Sequence, residues 1–233
     1  ITQAMDGKIW VVWSSDRTGN NEIFYKIYDG SSWTDDMQLT VDPNYDGYPA
    51  IMQASNGTIW VVWDSNRTGN DEIFYKIFNG SSWSSDMQLT ADPHYDEYPA
   101  IMQATDSKIW VVWDSDRNLH DLDLYYKIYD GSSWSNDTQL TADQTADDWD
   151  PSIMQAIGGL VWVVFTKSIP VGDILVENVY YKLFNGTSWT RDIQLTWDST
   201  AEHPAIAQSN NGTIWVMWDS DRSWPDTNIY YKV

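Results

Sequence analysis

The chain has no cysteine, so no disulfide or thiolate metal site is available to it, and its 233 residues must hold together by burial. A domain of this size needs no such staple, and the absence fixes no cellular compartment. Basic residues are scarce: 13 Lys and Arg stand against 34 Asp and Glu, a formal net charge of −21. Such a charge repels phosphate backbones and anionic headgroups, so no nucleic-acid partner is expected. Long apolar runs are also missing. The longest, Ile153 to Phe165, is interrupted by Gln155 and is too short to span a bilayer, so no membrane insertion is expected. Glutamate is nearly absent, 5 residues against 29 Asp. Asp caps turns with its short carboxylate where Glu favours helices, and no 3.6-residue pattern argues for a helical solenoid. The chain opens ITQAMDGKIW, without an initiator Met or a basic leader, and is expected to be a portion of a longer protein.

Aromatic residues are plentiful instead, with 16 Trp, 14 Tyr and 5 Phe, and they recur in register. IWVVW stands at Ile9 to Trp13, Ile59 to Trp63 and Ile109 to Trp113, followed by VWVVF at Val161 to Phe165 and IWVMW at Ile214 to Trp218. Five copies at spacings of 50, 50, 52 and 53 residues are one supersecondary unit repeated, at a period typical of propellers. Each unit reads as β-branched and aromatic runs punctuated by Asn-Gly and Asp-Gly turns, four strands to a unit. IWVVW is apolar on both alternating faces, as a strand is when its sheet packs another sheet on each side.

The expected fold is all-β: a five-bladed β-propeller of four-stranded antiparallel blades, one domain over 1–233. The repeats fall at about 1–48, 49–98, 99–150, 151–203 and 204–233. Only four copies of the outer strand occur, ending at Thr40, Thr90, Thr141 and Thr196, so the last blade lacks its own. Either upstream residues supply it, or the open edge accepts a strand from a partner, through self-association or strand donation.

Counted a to d from the inside of a blade outward, the d–a and b–c loops emerge on one face and only tight turns on the other. The loop-rich face repeats Arg17, Arg67, Arg117 and Arg222, with Asn20 and Asn70, beside Tyr45, Tyr48, Tyr95, Tyr98 and Trp149. Aromatic platforms beside planar hydrogen-bonding groups are what a sugar needs, so these eleven residues are candidate ligand contacts. The competing reading is that an Asp-Arg pair at a fixed place in every blade braces its hairpin. Trp33, Trp83, Trp134 and Trp189 are expected to pack between blades.

Asp143, Asp147, Asp148 and Asp150 crowd one loop and are candidate calcium ligands, although no Asp-x-Asp-x-Asp-Gly pattern is present. His94, His120 and His203 fall at non-equivalent positions and are read as loop residues. The blade-four hairpin from Thr166 to Leu175 is longer and more apolar than its counterparts, which fits either a partner contact or drift. Sequons at Asn56, Asn66, Asn79, Asn136, Asn185 and Asn211 fit a secreted or cell-surface glycoprotein, and Asn-Gly is also what a hairpin turn wants.

QLTADPHYDEYPAIMQA, IWVVWDSDR and SDRTGNNEIFY closely resemble WD40-like repeats of the TolB type. Ser15-Asp16-Arg17-Thr18-Gly19-Asn20 with Glu22-Ile23-Phe24 is the most specific part. The family's usual Ser-Pro-Asp-Gly turn is replaced here by Gln53-Ala54-Ser55-Asn56-Gly57. The hairpin is also similar to the Asp-box of sialidases and five-bladed lectins, with Asp16 to Gly19 one residue longer than that box. The resemblance implies a scaffold that docks proteins or glycans.

The acids and arginines are spread by the repeat rather than gathered at one point, and no Ser-His-Asp or Gly-x-Ser-x-Gly arrangement stands out. The expected function is therefore a non-catalytic propeller binding carbohydrate or protein outside the cell. The alternatives are an assembly module joined through the open edge of blade five, and a sialidase-like glycoside hydrolase.

Overall fold

The computed structural model describes residues 1–118, 121–223 and 226–233. Five antiparallel sheets follow one another along the chain, four of four strands and the last of three, as blades of a five-bladed β-propeller. Blade one joins Thr2–Gln3, Ile9–Ser15, Glu22–Tyr28 and Met37–Gln38 as strands a to d. Blade two joins Asp46–Gln53, Ile59–Ser65, Glu72–Phe78 and Met87–Gln88, and blade three Asp96–Gln103, Ile109–Ser115, Asp123–Tyr129 and Thr138–Gln139. Blade four joins Asp147–Gln155, Val161–Val171, Ile174–Phe184 and Ile193–Gln194; blade five has only Ala201–Gln208, Ile214–Ser223 and Asp226–Lys232. The chain divides into two compact units, Ile1–Gln103 and Ala104–Val233, taken in turn below.

Strand b explains why one blade cannot stand alone. In blade two every residue from Ile59 to Ser65 is buried, so both sides of the sheet need cover. One side of that cover is visible in the first unit, where Ile59, Val61 and Trp63 join a cluster with Trp10, Ile23 and Phe74. Trp10 stacks on Tyr25 at 5.7 Å and meets Phe78 at 5.5 Å and Trp83 at 6.2 Å, edge-on. The Trp83 indole N–H donates to the Tyr25 hydroxyl at 3.2 Å. The second unit repeats the joint, with Trp110 meeting Phe184 at 5.5 Å and Trp189 at 6.2 Å. Trp83 and Trp189 thus pack between blades as expected, whereas Trp33 is 48% exposed.

Two polar devices fix the repeat. The last residue of strand a is Gln in every blade, and in blades two to five its side-chain carbonyl accepts an N–H of the preceding blade's a–b turn. The pairs are Met5 to Gln53, Ser55 to Gln103, Thr105 to Gln155 and Ile157 to Gln208, each at 2.6 Å. The second device accounts for the Leu-Thr that ends each outer strand. Thr90 accepts the Ile73 N–H at 2.9 Å and donates to Glu72 at 2.6 Å, holding a strand that has only two ladder residues of its own.

The blade-four hairpin departs from expectation. Its residues do not form a long loop: strands b and c run on to Val171 and Ile174, paired throughout, with Gly172 at φ 64° turning the chain. Cross-strand pairs of β-branched residues, Ile169 with Val176 and Val171 with Ile174, carry the ladder on past Thr166, whereas strand b ends at Ser15, Ser65 and Ser115 in blades one to three.

Thr90→Val keeps the shape and removes both hydrogen bonds, leaving the buried Ile73 N–H without an acceptor. We expect a loss of about 1–3 kcal/mol in denaturant unfolding. An unchanged midpoint would mean that the short ladder alone holds the outer strand.

Candidate active site

The inner strands of blades two to five carry one backbone irregularity at one place. Tyr48, Tyr98, Asp150 and His203 have φ of 43°, 51°, 54° and 50°, a region that non-glycine residues rarely enter, and each precedes a proline. In blades two, four and five the pairing with strand b slips there, between Gly47 and Ala50, Trp149 and Ser152, and Glu202 and Ala205. The proline has no N–H to give the ladder, and the bulge turns the residue before it away from the regular pleat. Strain of this kind marks functional positions, and here the backbone repeats while the side chain does not.

In the first unit the Tyr48 and Tyr98 rings lie 4.1 Å apart. Gly47 leaves room for the Tyr45 ring, since a Cβ there would come within 2.5 Å of the ring carbons. Beside Tyr45 lies Asp64 of strand b, fully buried, with neither carboxyl oxygen hydrogen-bonded among the described residues. Burial, then the neighbouring Glu97 and Asp71, push the Asp64 carboxyl up to about 8. Asp71 is also raised, chiefly by burial.

In the second unit the bulges bring different chemistry together. His203 Nδ1 lies 2.9 Å from an Asp219 oxygen and 3.9 Å from a Glu202 oxygen, and its ring meets Trp149 edge-on at 5.3 Å. The His203 N–H donates to Thr166 Oγ1 at 3.2 Å, and the Asp150 N–H to Asp114 at 3.4 Å, tying each bulge to strand b of the preceding blade. Burial, then a shared hydrogen bond and charge repulsion with Glu177, push the Glu202 carboxyl up to about 7. Asp150 is raised by burial, against the pull of His203. A half-buried carboxyl that keeps its proton near neutrality, beside a carboxylate and an aromatic face, is equipped for proton transfer to a polar substrate.

The arginines expected to contact ligand are braces. Arg67 pairs with Asp46 at 2.6 Å and with Asp86, and its guanidinium lies 4.6 Å from the Phe74 ring centre. Arg117 pairs with Asp137 at 2.8 Å over Tyr125, Arg222 with Asp198 at 2.9 Å over Tyr230, and Arg17 with Asp36 over Phe24. The Arg67 and Arg117 side chains are largely buried by these contacts, whereas those of Arg17 and Arg222 stay 43% and 38% exposed. Asn20 and Asn70 are likewise used up: each amide N–H₂ donates to two carbonyls of the following loop, Asp42 and Asn44 for the first, Asp92 and His94 for the second. Tyr48, Tyr95, Tyr98 and Trp149 remain at least partly accessible, while Tyr45 leans on Gly47.

The four candidate calcium ligands do not converge. Asp143 and Asp148 meet, joined by Asp192, on the ammonium of Lys167, which takes the place of a metal ion. These carboxylates hold the Lys167 ammonium well above its usual pKa against its burial. Asp147 instead accepts the Leu122 N–H at 2.9 Å, and Asp150 occupies its bulge. His94 pairs with Asp92 at 2.7 Å, and His120 lies outside the described residues.

Of the sequons, Asn79 and Asn185 cap their turns through the side-chain carbonyl, accepting from Ser81 and Ser82 and from Thr187 and Ser188. Asp29 and Asp130 do the same in the other blades, each held down to about 2 by those N–H donors. Asn56 and Asn211 accept turn N–H groups from Thr58 and Thr213, Asn66 accepts the Tyr45 N–H at 3.0 Å, and the Asn136 carbonyl accepts from Ser135.

Sequence reasoning missed Glu202, Asp219, Glu177 and Asp64 as chemical groups and read His203 as a loop residue. The available signal was the X-Pro dipeptide in four repeats, with X changing from Tyr to Asp to His.

No protein-family model matches the chain, and no curated protein matches it in sequence. Solved structures do match. A protein of unknown function from Dyadobacter fermentans aligns over 93% of this chain and 73% of its own, at 11% identity and TM-score 0.74. The GH93 α-L-arabinofuranosidase of Fusarium graminearum, solved with arabinobiose, aligns over 99% and 78% at 15% identity and TM-score 0.74. The Penicillium chrysogenum α-L-arabinanase, also with arabinobiose, aligns over 99% and 78% at 13% identity and TM-score 0.72. At these identities the likeness is one of fold. It corrects the expectation of a non-catalytic binding propeller, which rested on acids spread by the repeat: two of these three propellers are enzymes that act on carbohydrate. Repetition along the chain is therefore no argument against catalysis on this fold.

Two stability measurements test the electrostatics. Lys167→Met leaves the buried Asp148 and its neighbour Asp143 without their cation, while Asp192 keeps Lys182 at 2.7 Å, and is expected to cost about 3–5 kcal/mol in chemical denaturation. Loss of less than about 1 kcal/mol, the worth of a surface pair, would show that Lys167 does not neutralise the cluster. Folded Asp64 keeps its proton up to about pH 8 where the unfolded chain releases it near 3.8, so stability falls as pH rises between those values. Asp64→Asn removes that slope and should melt a few degrees above the wild type at pH 8, with little difference at pH 4. Parallel melting curves across the range would assign the slope to another group.

Proposed function

We propose that the chain is a carbohydrate-active enzyme that cleaves glycosidic bonds, with its acid and base on the bulged inner face of the second unit. The observation that carries this reading is the meeting of two carboxyls on one imidazole. Glu202 and Asp219 oxygens lie no more than 6.8 Å apart, the 3.9 and 2.9 Å contacts to His203 Nδ1 laid end to end. Glycosidases use two carboxyl groups roughly 5 to 9.5 Å apart, one protonated and one ionised. Glu202, with its raised pKa, is the proton donor to the leaving oxygen. Asp219 is the carboxylate that stabilises or attacks the sugar carbon, oriented by His203. Trp149 offers an aromatic face for the ring.

The similar arabinofuranosidase and arabinanase make arabinose-containing oligosaccharides the first substrates to try. A polymeric substrate of that kind agrees with an extracellular location, and the Ser-Asp-Arg-x-Gly-Asn hairpins agree with a TolB-type ancestry; both belong to this proposal.

The test is hydrolysis of arabinan, arabino-oligosaccharides and sialosides, followed by product analysis. The rate on a hit should fall above about pH 7 as Glu202 loses its proton. Glu202→Gln and Asp219→Asn should each lower kcat/KM by roughly 10²–10⁴, with less loss for Glu202→Gln on aryl glycosides whose leaving group needs no acid. Full activity in both variants, or no turnover of any substrate, would sink the reading.

A further inference from the structure

The lengthened hairpin of blade four holds an acid where the other blades hold none in place. In blades one to three strand c begins at Glu22, Glu72 and Asp123, so Asn21, Asp71 and Leu122 just before it lie outside the ladder. Their counterpart in blade four, Glu177, lies inside one. It pairs with Ser168 of strand b, and the pairs Ile169 with Val176, Pro170 with Leu175 and Val171 with Ile174 continue beyond it. A residue with ladder pairs on both sides has a fixed backbone and a side chain committed to one face of its sheet.

That face looks to blade five. Val179, two residues on and therefore on the same side, packs with Ala201, Val216 and Trp218. The Glu177 N–H donates to the Ser199 carbonyl at 3.1 Å, and Glu177 bridges Thr200 in parallel register. Thr200 is fastened in turn to Ser220 by a 2.8 Å hydrogen bond between their hydroxyls. Glu202 follows two residues later, and its carboxyl shares a hydrogen bond with that of Glu177. Across the ladder from Glu177, Ser168 is 3% exposed, and its Oγ has no hydrogen-bond partner among the described residues. Side chains directly opposite in an antiparallel pair reach one another, so this buried hydroxyl is a donor available to the Glu177 carboxyl.

We propose that Glu177 is a positioning residue: carried in by the lengthened hairpin, its carboxyl fixes that of Glu202 and holds the shared proton until the leaving oxygen of a substrate takes its place as acceptor. A hydrogen bond between two carboxyls exists only while one of them carries a proton. That proton passes from Glu202 to the leaving oxygen as the glycosidic C–O bond breaks, and the water that completes hydrolysis replaces it. Ser168 then donates to the Glu177 carboxylate left behind. This chemistry rests on Glu202 being the acid of a glycosidase; the contact between the two carboxyls does not. The groups that face Glu202 are Glu177 from strand c of blade four, His203 on its own strand and Asp219 from strand b of blade five, and Asp150 of blade four faces the last two. After burial, Glu177 is the largest of these influences.

The chain has five Glu, so labelling glutamate with carbon-13 at the carboxyl gives five signals, and Glu202→Gln identifies the one that titrates near 7. In Glu177→Gln, which keeps the size and removes the charge, the Glu202 midpoint should fall by about one pH unit, because a like charge no longer opposes its ionisation. Glu177→Ala should shift it in the same direction. Leu175→Ala, at a 59% exposed place in the same hairpin, should leave it unmoved. On any substrate that is hydrolysed, the alkaline limb of kcat/KM should move down with the midpoint in Glu177→Gln. A Glu202 midpoint that neither Glu177 variant moves, or that Leu175→Ala moves as far, would overturn the proposal and leave Glu202 its role. A midpoint that shifts in a chain that hydrolyses nothing would sink the glycosidase reading and leave the acid pair standing.

Discussion

A sheet that is apolar on both sides has to be sandwiched, and the other regularities of this chain follow from that requirement. Strand b of blade two exposes none of its seven residues, and alternation puts half of them on each side. Burial of that kind is worth about 25 cal/mol per Å² of apolar surface, collected only when neighbouring blades meet. The repeat therefore encodes its partner as well as itself. The Trp-Tyr pair on one blade and the aromatic-Trp pair on the next are two halves of one contact, and the Gln at the end of strand a in blades two to five adds a single hydrogen bond to the blade before it.

Against that uniform frame, variation is confined to a few positions and carries the chemistry. Four residues before a proline are held in a strained conformation, and in blades two, four and five, where the pairing slips, strand b clamps both sides of it. Tyrosines take these places in blades two and three, an acid and a histidine in blades four and five. Strand b answers in kind: Ser14, Asp64, Asp114, Thr166 and Asp219 occupy one equivalent place. Asp114 and Thr166 accept a bulge N–H from the next blade, while Asp219 engages the imidazole of its own blade. A symmetric scaffold thus acquires an asymmetric set of charges by substitution at two positions.

The fold was legible because its signal is period and patterning. Five copies of a two-faced apolar strand, turn residues at fixed offsets and a missing fifth Gly-Ser-Ser-Trp segment led to five blades with a three-stranded last one, as observed. The site was less legible, for two reasons. Residue type does not reveal whether a side chain is already engaged, so arginines whose donors are spent on Asp46 or Asp137 read the same as free ones. And burial, which moves Glu202 to about 7 and Asp64 to about 8, is set by contacts between residues distant along the chain. The repeat also misled by multiplying whatever it contained. Acids spread over five blades looked ungathered, yet the bulges of the second unit bring three of them to His203 and its neighbours.

Blade four shows which parts of the repeat are physically required. Its lengthened hairpin removes the arginine that elsewhere closes the b–c turn, and the charge that arginine supplied is restored from a different position. Arg67 gathers Asp42, Asp46 and Asp86; Lys167 gathers Asp143, Asp148 and Asp192, their counterparts one for one. Lys167 stands two residues nearer the centre of strand b, in line with Ser65, and its flexible stem delivers the ammonium to the same carboxylates. Three buried or half-buried acids in one place are tenable only with a cation among them, so the position of the positive charge is fixed while the residue and even the strand position that carry it are free to change. An interior cation in this fold is thus a requirement of acidic loops meeting at a blade end, and a group of acids there is no sign of a metal site unless that cation is missing.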